Sequence, residues 1–424
     1  MIAIRSFVSY LLLFVAVASC QSEFDYRSLA SFETVWQTVR EKHFDPRFNG
    51  LDWNEVHDRY QEQISDARSG PRFRSLVNRM LFELDLSHLL VASHGELKRF
   101  LSTLFAEGSI GVDVRLLNNS VLITSVEEGS SAALAGIRPG FQIERIDGYS
   151  VEEIIAEAEK LSIPPSNKRS QKKNTTLKLL SRIYGPPDTA VTMVFLDGQG
   201  KRYRKSIKRT RRGPGIIISE THPPFYLEFE TRRLDRGIGY IRFNHFAEPI
   251  VKPFISALSE MRDAPGLVID LRGNSGGYLK VLDILAAHLL TEKRLLYTVK
   301  FRDATTNRVI TPVENAYDGP IVILIDVLST SCSELFSGSL QDISRAGIIG
   351  ERTSGYLLIA DWMELPNGDS FMYTIGQPRT SAGTSIEGNG IEPDFTVELD
   401  RRSLLQARDP QLEKAVSLLK KLRL

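Results

Sequence analysis

The chain has 424 residues, and at roughly 150 residues per domain that length asks for about three domains. Hydrophobic residues make up 42% and charged residues 25%, which excludes a disordered chain, a collagen and a polytopic membrane protein. With 53 Lys+Arg against 52 Asp+Glu the formal charge is +1, so no global field marks nucleic acid as the partner; the two cysteines, Cys20 and Cys332, exclude a disulfide framework and a Cys-rich zinc site.

Residues 1–19 carry one charged side chain, Arg5, and an apolar run from Phe7 to Ala18 that is short for a bilayer span. The expectation is an export signal. It ends Val17-Ala18-Ser19-Cys20, which resembles a bacterial lipobox, so Cys20 is expected to be lipidated and to tether an exported protein to the cell envelope. Gln21 in place of aspartate favours the outer membrane of a diderm bacterium. Residues 20–105 read as a helical region, with Phe32, Val35, Trp36 and Val39, and then Val56, Tyr60 and Ile64, at helical spacing. Residues 106–212 change to short β-branched runs (120–125, 190–195, 202–209) with helical patches and glycine turns. Their densest charge run, residues 201–212, holds eight basic side chains in twelve. It reads as an edge strand whose charges discourage pairing, ahead of a lipid-headgroup contact. Residues 213–424 alternate buried-type strands (237–243, 266–270, 321–326, 347–350) with helices (251–261, 279–290, 333–343), the pattern of an α/β core. The last helix, 409–424, is amphipathic and basic, and is expected to pack on that core.

In the second segment, residues 126–143 run from Val126 through Gly136-Ile137-Arg138-Pro139-Gly140 to Ile143, and on to Asp147-Gly148. This pattern resembles a PDZ domain. The resemblance implies a peptide-binding loop at Ser109, Ile110, Gly111 and Val112, whose amides would hold a terminal carboxylate while the peptide adds as a strand.

Two elements of the last segment bear chemistry. Residues 266–277 are an apolar strand ending in Asp270-Leu271-Arg272-Gly273-Asn274-Ser275-Gly276-Gly277; such a turn can offer free amides to an oxyanion or cradle a phosphate. Residues 321–335 are an apolar strand running through Ser329-Thr330-Ser331-Cys332-Ser333-Glu334 into a helix, a placement that puts a serine in the field of a helix N-terminus. Together they resemble the tail-specific, or C-terminal processing, proteases, whose core carries Asp-Leu-Arg-x-Asn-x-Gly-Gly and Ser-x-Ser-x-Ser-Glu. The resemblance extends to Gly350-Glu351-Arg352-Thr353 and to Gly388-Asn389-Gly390-Ile391-Glu392-Pro393-Asp394. It implies a ClpP/crotonase-like α/β core with an N-terminal helical region and an inserted PDZ domain. It also implies Ser331 as nucleophile, with the amides of Cys332 and of Gly276 or Gly277 as oxyanion hole.

Most of that family pairs the serine with a lysine 25 residues later. Here that position is Tyr356, and no lysine occurs from 301 to 413. The tricorn-type branch uses instead a histidine preceded by serine and a glutamate near the Gly-x-x-Pro-Asp segment, which by resemblance makes His88 the base and Ser87 and Glu387 its polar supports. His245 is the rival base. The implied activity is a serine endopeptidase acting on unfolded or C-terminal segments of protein and peptide substrates. A binding protein on the same core, without catalysis, is the alternative, and an acyl-CoA enzyme of crotonase type the third. No metal or cofactor motif stands in the chain.

Overall fold

A computed structural model describes residues 27–97, 107–160, 164–212, 215–216 and 225–421. The export signal and Cys20 lie outside the described residues. The chain divides into two compact units, the first drawing its described residues from 27–97, 300–305 and 358–377, the second from the remainder.

In the first unit residues 27–42 are helical, followed by helices Trp53–Ser65 and Gly70–Phe82. Asp52 and Ser69 cap the latter two by accepting main-chain N–H bonds from the first turn. Phe32, Val35, Val56, Ile64, Phe73, Leu76 and Met80 from these helices make one buried cluster with Leu365, Phe371 and Tyr373. The last three belong to a segment that the sequence pattern did not flag. It forms strands Ile359–Glu364 and Ser370–Thr380, and the latter also pairs antiparallel with Leu90–Ala92, the short strand that follows Ser87-His88.

In the second unit, strands Val112–Leu117, Ser120–Val126, Gln142–Ile146, Ala190–Leu196 and Arg202–Lys208 form an antiparallel sheet in that order. Residues 202–208 of the basic run are its outermost strand, as the charge pattern predicts, while Thr210–Arg211 pairs with Gly108–Ser109; the run's cations are largely paired, Arg202 with Glu144, Lys208 with Asp188 and Arg211 with Glu107. Helix Lys168–Ile183 packs against Val112–Leu117 and against helix Val151–Glu159. In the predicted peptide loop Ile110 is fully buried, and the Ser109 hydroxyl accepts the Gly111 N–H at 2.9 Å.

The α/β core is a six-stranded sheet of Phe229–Arg233, Gly239–Phe243, Leu267–Asp270, Ile321–Ile325, Ala346–Gly350 and Phe395–Thr396, in that order. The first pair is antiparallel and the rest parallel, in register Ile241↔Ile269↔Ile323↔Ile348. Continuous Val/Ile runs suit strands covered on both faces. The C-terminal helix, Pro410–Lys421, buries Ala415 and Leu419 against Val268, Val322, Leu324 and Ile349 on one face, the packing role read from its sequence. Among the helices Glu248–Glu260, Leu279–Ala287 and Cys332–Asp342, Phe254 and Phe336 meet the Phe243–Phe246 pair edge-on or tilted.

Asp270 ties the central strands. Fully buried, it accepts from Arg272 Nη2 at 2.6 Å and from Tyr240 Oη at 2.9 Å, with Arg242 Nη1 at 4.0 Å. Burial works to raise its pKa, but the Arg272 guanidinium overrides burial and holds the carboxyl well below the usual range. Because the folded-state pKa is depressed, this contribution to stability is complete above about pH 4, the unfolded carboxyl value, and is lost as pH falls below it. Asp270→Asn is expected to cost about 3–5 kcal/mol in urea unfolding at pH 7, since it leaves buried guanidinium charge uncompensated. The gap between variant and parent should narrow below pH 4.

Candidate active site

Ser331 stands at the start of helix Cys332–Asp342 with φ 57° and ψ −120°. An ordinary helix cap is extended, so this left-handed serine is a strained turn rather than a routine cap. Glu334 holds the turn. Its carboxylate, wholly buried, accepts Ser331 N–H at 2.9 Å, Tyr356 N–H at 3.0 Å, Gly355 N–H at 2.8 Å and Thr353 Oγ1 at 2.6 Å. Burial pushes the Glu334 pKa up, and those four donors oppose it. Ser331 N–H is also within 3.1 Å of the Tyr356 carbonyl, so the loop at 353–356 and the Ser331 turn are one hydrogen-bonded piece.

The glycine turn is stitched to the same place by Asn274. Its side-chain amide donates to Phe243 O at 2.8 Å and its Oδ1 accepts from Ser333 Oγ at 2.7 Å, while its carbonyl accepts Thr330 N–H at 3.0 Å. Gly276, at φ 90°, lies so close that a Cβ there would be 2.5 Å from Ser331 Cβ and 2.9 Å from Cys332 N. Gly277, at φ 140°, would clash with the Phe246 carbonyl at 2.3 Å. Of the predicted oxyanion donors, the Gly276 N–H is spent on Asn274 Oδ1 at 2.9 Å. The Gly277 and Cys332 amides have no partner among the described residues and remain available to a developing oxyanion. The Cys332 thiol itself is buried and points to Gly277 O at 3.0 Å; burial pushes its pKa up to about 12, so it is no competing nucleophile.

Glu387 is buried in the loop after Ser385, where its Oε2 accepts Leu357 N–H at 2.8 Å. The structure thus brings Ser331, Cys332, Gly276 and Gly277 together and sets Glu387 on the residue after Tyr356. Ser87 and His88 belong to the first unit. There Ser87, buried, sits 2.6 Å from His88 Nδ1, and His88 itself has φ 59°. His245, the rival, is half-buried, has Nδ1 3.0 Å from Ser275 Oγ, and burial lowers its pKa to about 4.

Residues 237–397 match the family model for peptidase family S41, and residues 28–82 match that for the tricorn protease C1 domain. The chain is 28% identical over 392 residues to a carboxyl-terminal-processing protease of Synechocystis sp., covering 91% of this chain and 85% of that one. The fold is shared with the photosystem II D1 C-terminal processing protease at 22% identity and TM-score 0.57, covering 92% and 97% of the two chains. It is shared also with mature CPAF complexed with lactacystin, at 15% identity and TM-score 0.62, covering 94% and 98%. The match to the S41 family model, together with the carboxyl-terminal-processing relative, indicates a serine peptidase, a hydrolase.

Sequence reasoning passed over three polar residues that build the site. Asn274 was present in the motif without a stated job. Glu334 falls at the Ser-x-x-Glu spacing of a capping box, which was the available signal. Asp326, at the end of strand Ile321–Ile325, accepts the amides of Gly273 at 3.0 Å, Leu328 at 3.0 Å and Ser329 at 3.1 Å, and also binds Arg115 Nε of the β-rich module at 2.6 Å. Glu334→Gln should be the sharper test of the site, because whichever oxygen becomes NH₂ strands at least one buried main-chain N–H. It is expected to cost on the order of 3 kcal/mol in urea unfolding and to suppress peptidase activity, whereas retained stability and activity would show that the carboxylate is dispensable.

Proposed function

We propose that this serine peptidase is an endopeptidase that cleaves unfolded or C-terminal protein segments through an acyl-enzyme on Ser331. His88 acts as base, with Ser87 and Glu387 as its polar supports. The observation that carries the reading is the left-handed Ser331 pressed against Gly276 with the amides of Gly277 and Cys332 open beside it. In the proposed cycle Ser331 Oγ attacks the scissile carbonyl while His88 Nε2 takes its proton. The two amides hold the oxyanion, and His88 returns the proton to the leaving amine; water then repeats the sequence on the ester. Substrate class follows the relatives named for carboxyl-terminal processing. The β-rich module is read as a PDZ domain that presents the segment to be cut, on the strength of the pattern at residues 126–148.

Ser331→Ala is expected to abolish cleavage of an unfolded protein and labelling by a fluorophosphonate. His88→Ala should lower kcat on the order of 10³-fold. Full activity in His88→Ala would remove His88 from the base role, and an unlabelled parent protein would favour the non-catalytic binding protein.

The envelope tether is read from Val17-Ala18-Ser19-Cys20 alone. The full chain expressed in a diderm bacterium should partition into the detergent phase, and Cys20→Ser should move it to the aqueous phase; equal partitioning of the two would remove the lipid anchor.

A further inference from the structure

Tyr356 occupies the position at which most tail-specific proteases carry their lysine, yet a lysine from elsewhere in the chain lies over its ring. Lys173, from helix Lys168–Ile183 of the β-rich module, places Nζ 3.2 Å from the centroid of the Tyr356 ring and is only 5% exposed. Lysine is rarely buried without charged company. The company here is Glu334, which holds the nucleophile's turn, and Glu387, on the neighbouring loop.

The whole N-terminal turn of that helix is fitted to the two active-site loops. Asn167 Nδ2 donates to Gly388 O at 3.2 Å, and Arg169 Nη2 donates to Gly388 O and Asn389 O, each at 3.1 Å. Ser170 Oγ donates to Ser354 O at 3.4 Å, and Lys172 pairs with Glu351. Lys172 is thereby neutralised locally. Arg169 also faces Glu334, but its Nη2 is occupied by the two carbonyls and it lies near Arg352. Lys173 is the cation set over Tyr356 and facing both carboxylates.

We propose that Lys173 is a positioning residue of the peptidase site: the β-rich module supplies from outside the S41 domain the positive charge that the family's lysine would bring to position 356. Its ammonium clamps the Tyr356 ring, whose carbonyl holds Ser331 N–H, and offsets the two buried carboxylates next to the nucleophile. The inference rests on the reading of Ser331 as nucleophile and assigns Lys173 no proton transfer.

The chemistry leaves a signature that packing alone would not. Burial lowers the Lys173 pKa to about 7, against the opposing pull of Glu334 and Glu387. Folding therefore favours the neutral amine, and the charged form burdens the folded state below pH 7, a burden that fades as pH rises toward the unfolded value of 10.5. The full-length chain would be assayed for cleavage of an unfolded protein across pH, with thermal unfolding at pH 6. Lys173→Met, which keeps the bulk, is expected to lower kcat roughly ten- to a hundredfold with KM little changed, while Tm at pH 6 stays level or rises. Lys173→Arg keeps a charge that does not titrate. It should restore most of kcat and move upward the alkaline limb expected of the parent.

Wild-type kcat in Lys173→Met, or a Lys173→Arg variant as inactive as Lys173→Met, would overturn the proposal. A lower Tm for Lys173→Met would reduce the residue to a packing role and overturn it equally. Fluorophosphonate labelling of the parent at Ser331 separates these failures from failure of the nucleophile assignment.

Discussion

The site depends on one buried carboxylate. Glu334 gathers donors from two segments of the chain, the Ser331 turn and the loop at 353–356, and adds four bonds to the one main-chain bond that otherwise joins them. A left-handed serine is costly to hold, and the opposing force has to come from surroundings that over-determine it. Here that force is a charge-assisted hydrogen-bond cluster sealed from water, where each bond is stronger and each unmade bond more costly than at the surface. The oxyanion geometry is inherited from it, because the Cys332 amide points where the Ser331 turn sends it.

A second buried charge fixes the β-rich module to the same turn. Arg115 Nε reaches Asp326 Oδ2 at 2.6 Å while also pairing with Asp113, and Asp326 uses its other oxygen to collect the amides of 273, 328 and 329. Val327 and Leu328 of that turn lie in the module's own hydrophobic cluster, beside Val114 and Leu179. The contact is thus a continuation of the module's core, and the turn before Ser331 has the module as one of its walls. Desolvated ion pairs of this kind set geometry more than they add stability.

How much of this was legible in the sequence follows from how each feature is encoded. Runs such as residues 321–325, rich in Ile and Val and ended by turn residues, read as strands covered on both faces, and the turns that follow them carry Ser331, Gly276 and Gly277, which the fold brings together. The strands at 359–364 and 370–380 do not read so plainly, because Asp361, Trp362 and Glu364 on the first give no clean alternation. Lys173 could not be found: it sits in Lys168-Arg169-Ser170-Gln171-Lys172-Lys173, which reads as a solvated helix face, and only the tertiary fold buries it. No lysine occurs between 301 and 413, but a motif is a line and the site is a volume.

Cys332 carries a consequence of another kind. A thiol one residue from Ser331 would ordinarily be exposed to oxidation, since sulfenic acid or a mixed disulfide there would crowd the turn. Reactivity at sulfur needs the thiolate and an approach route. With its thiol buried, turned onto the Gly277 carbonyl and held protonated far above neutral pH, Cys332 offers neither. The site is therefore built to keep working whether its compartment is oxidising or reducing.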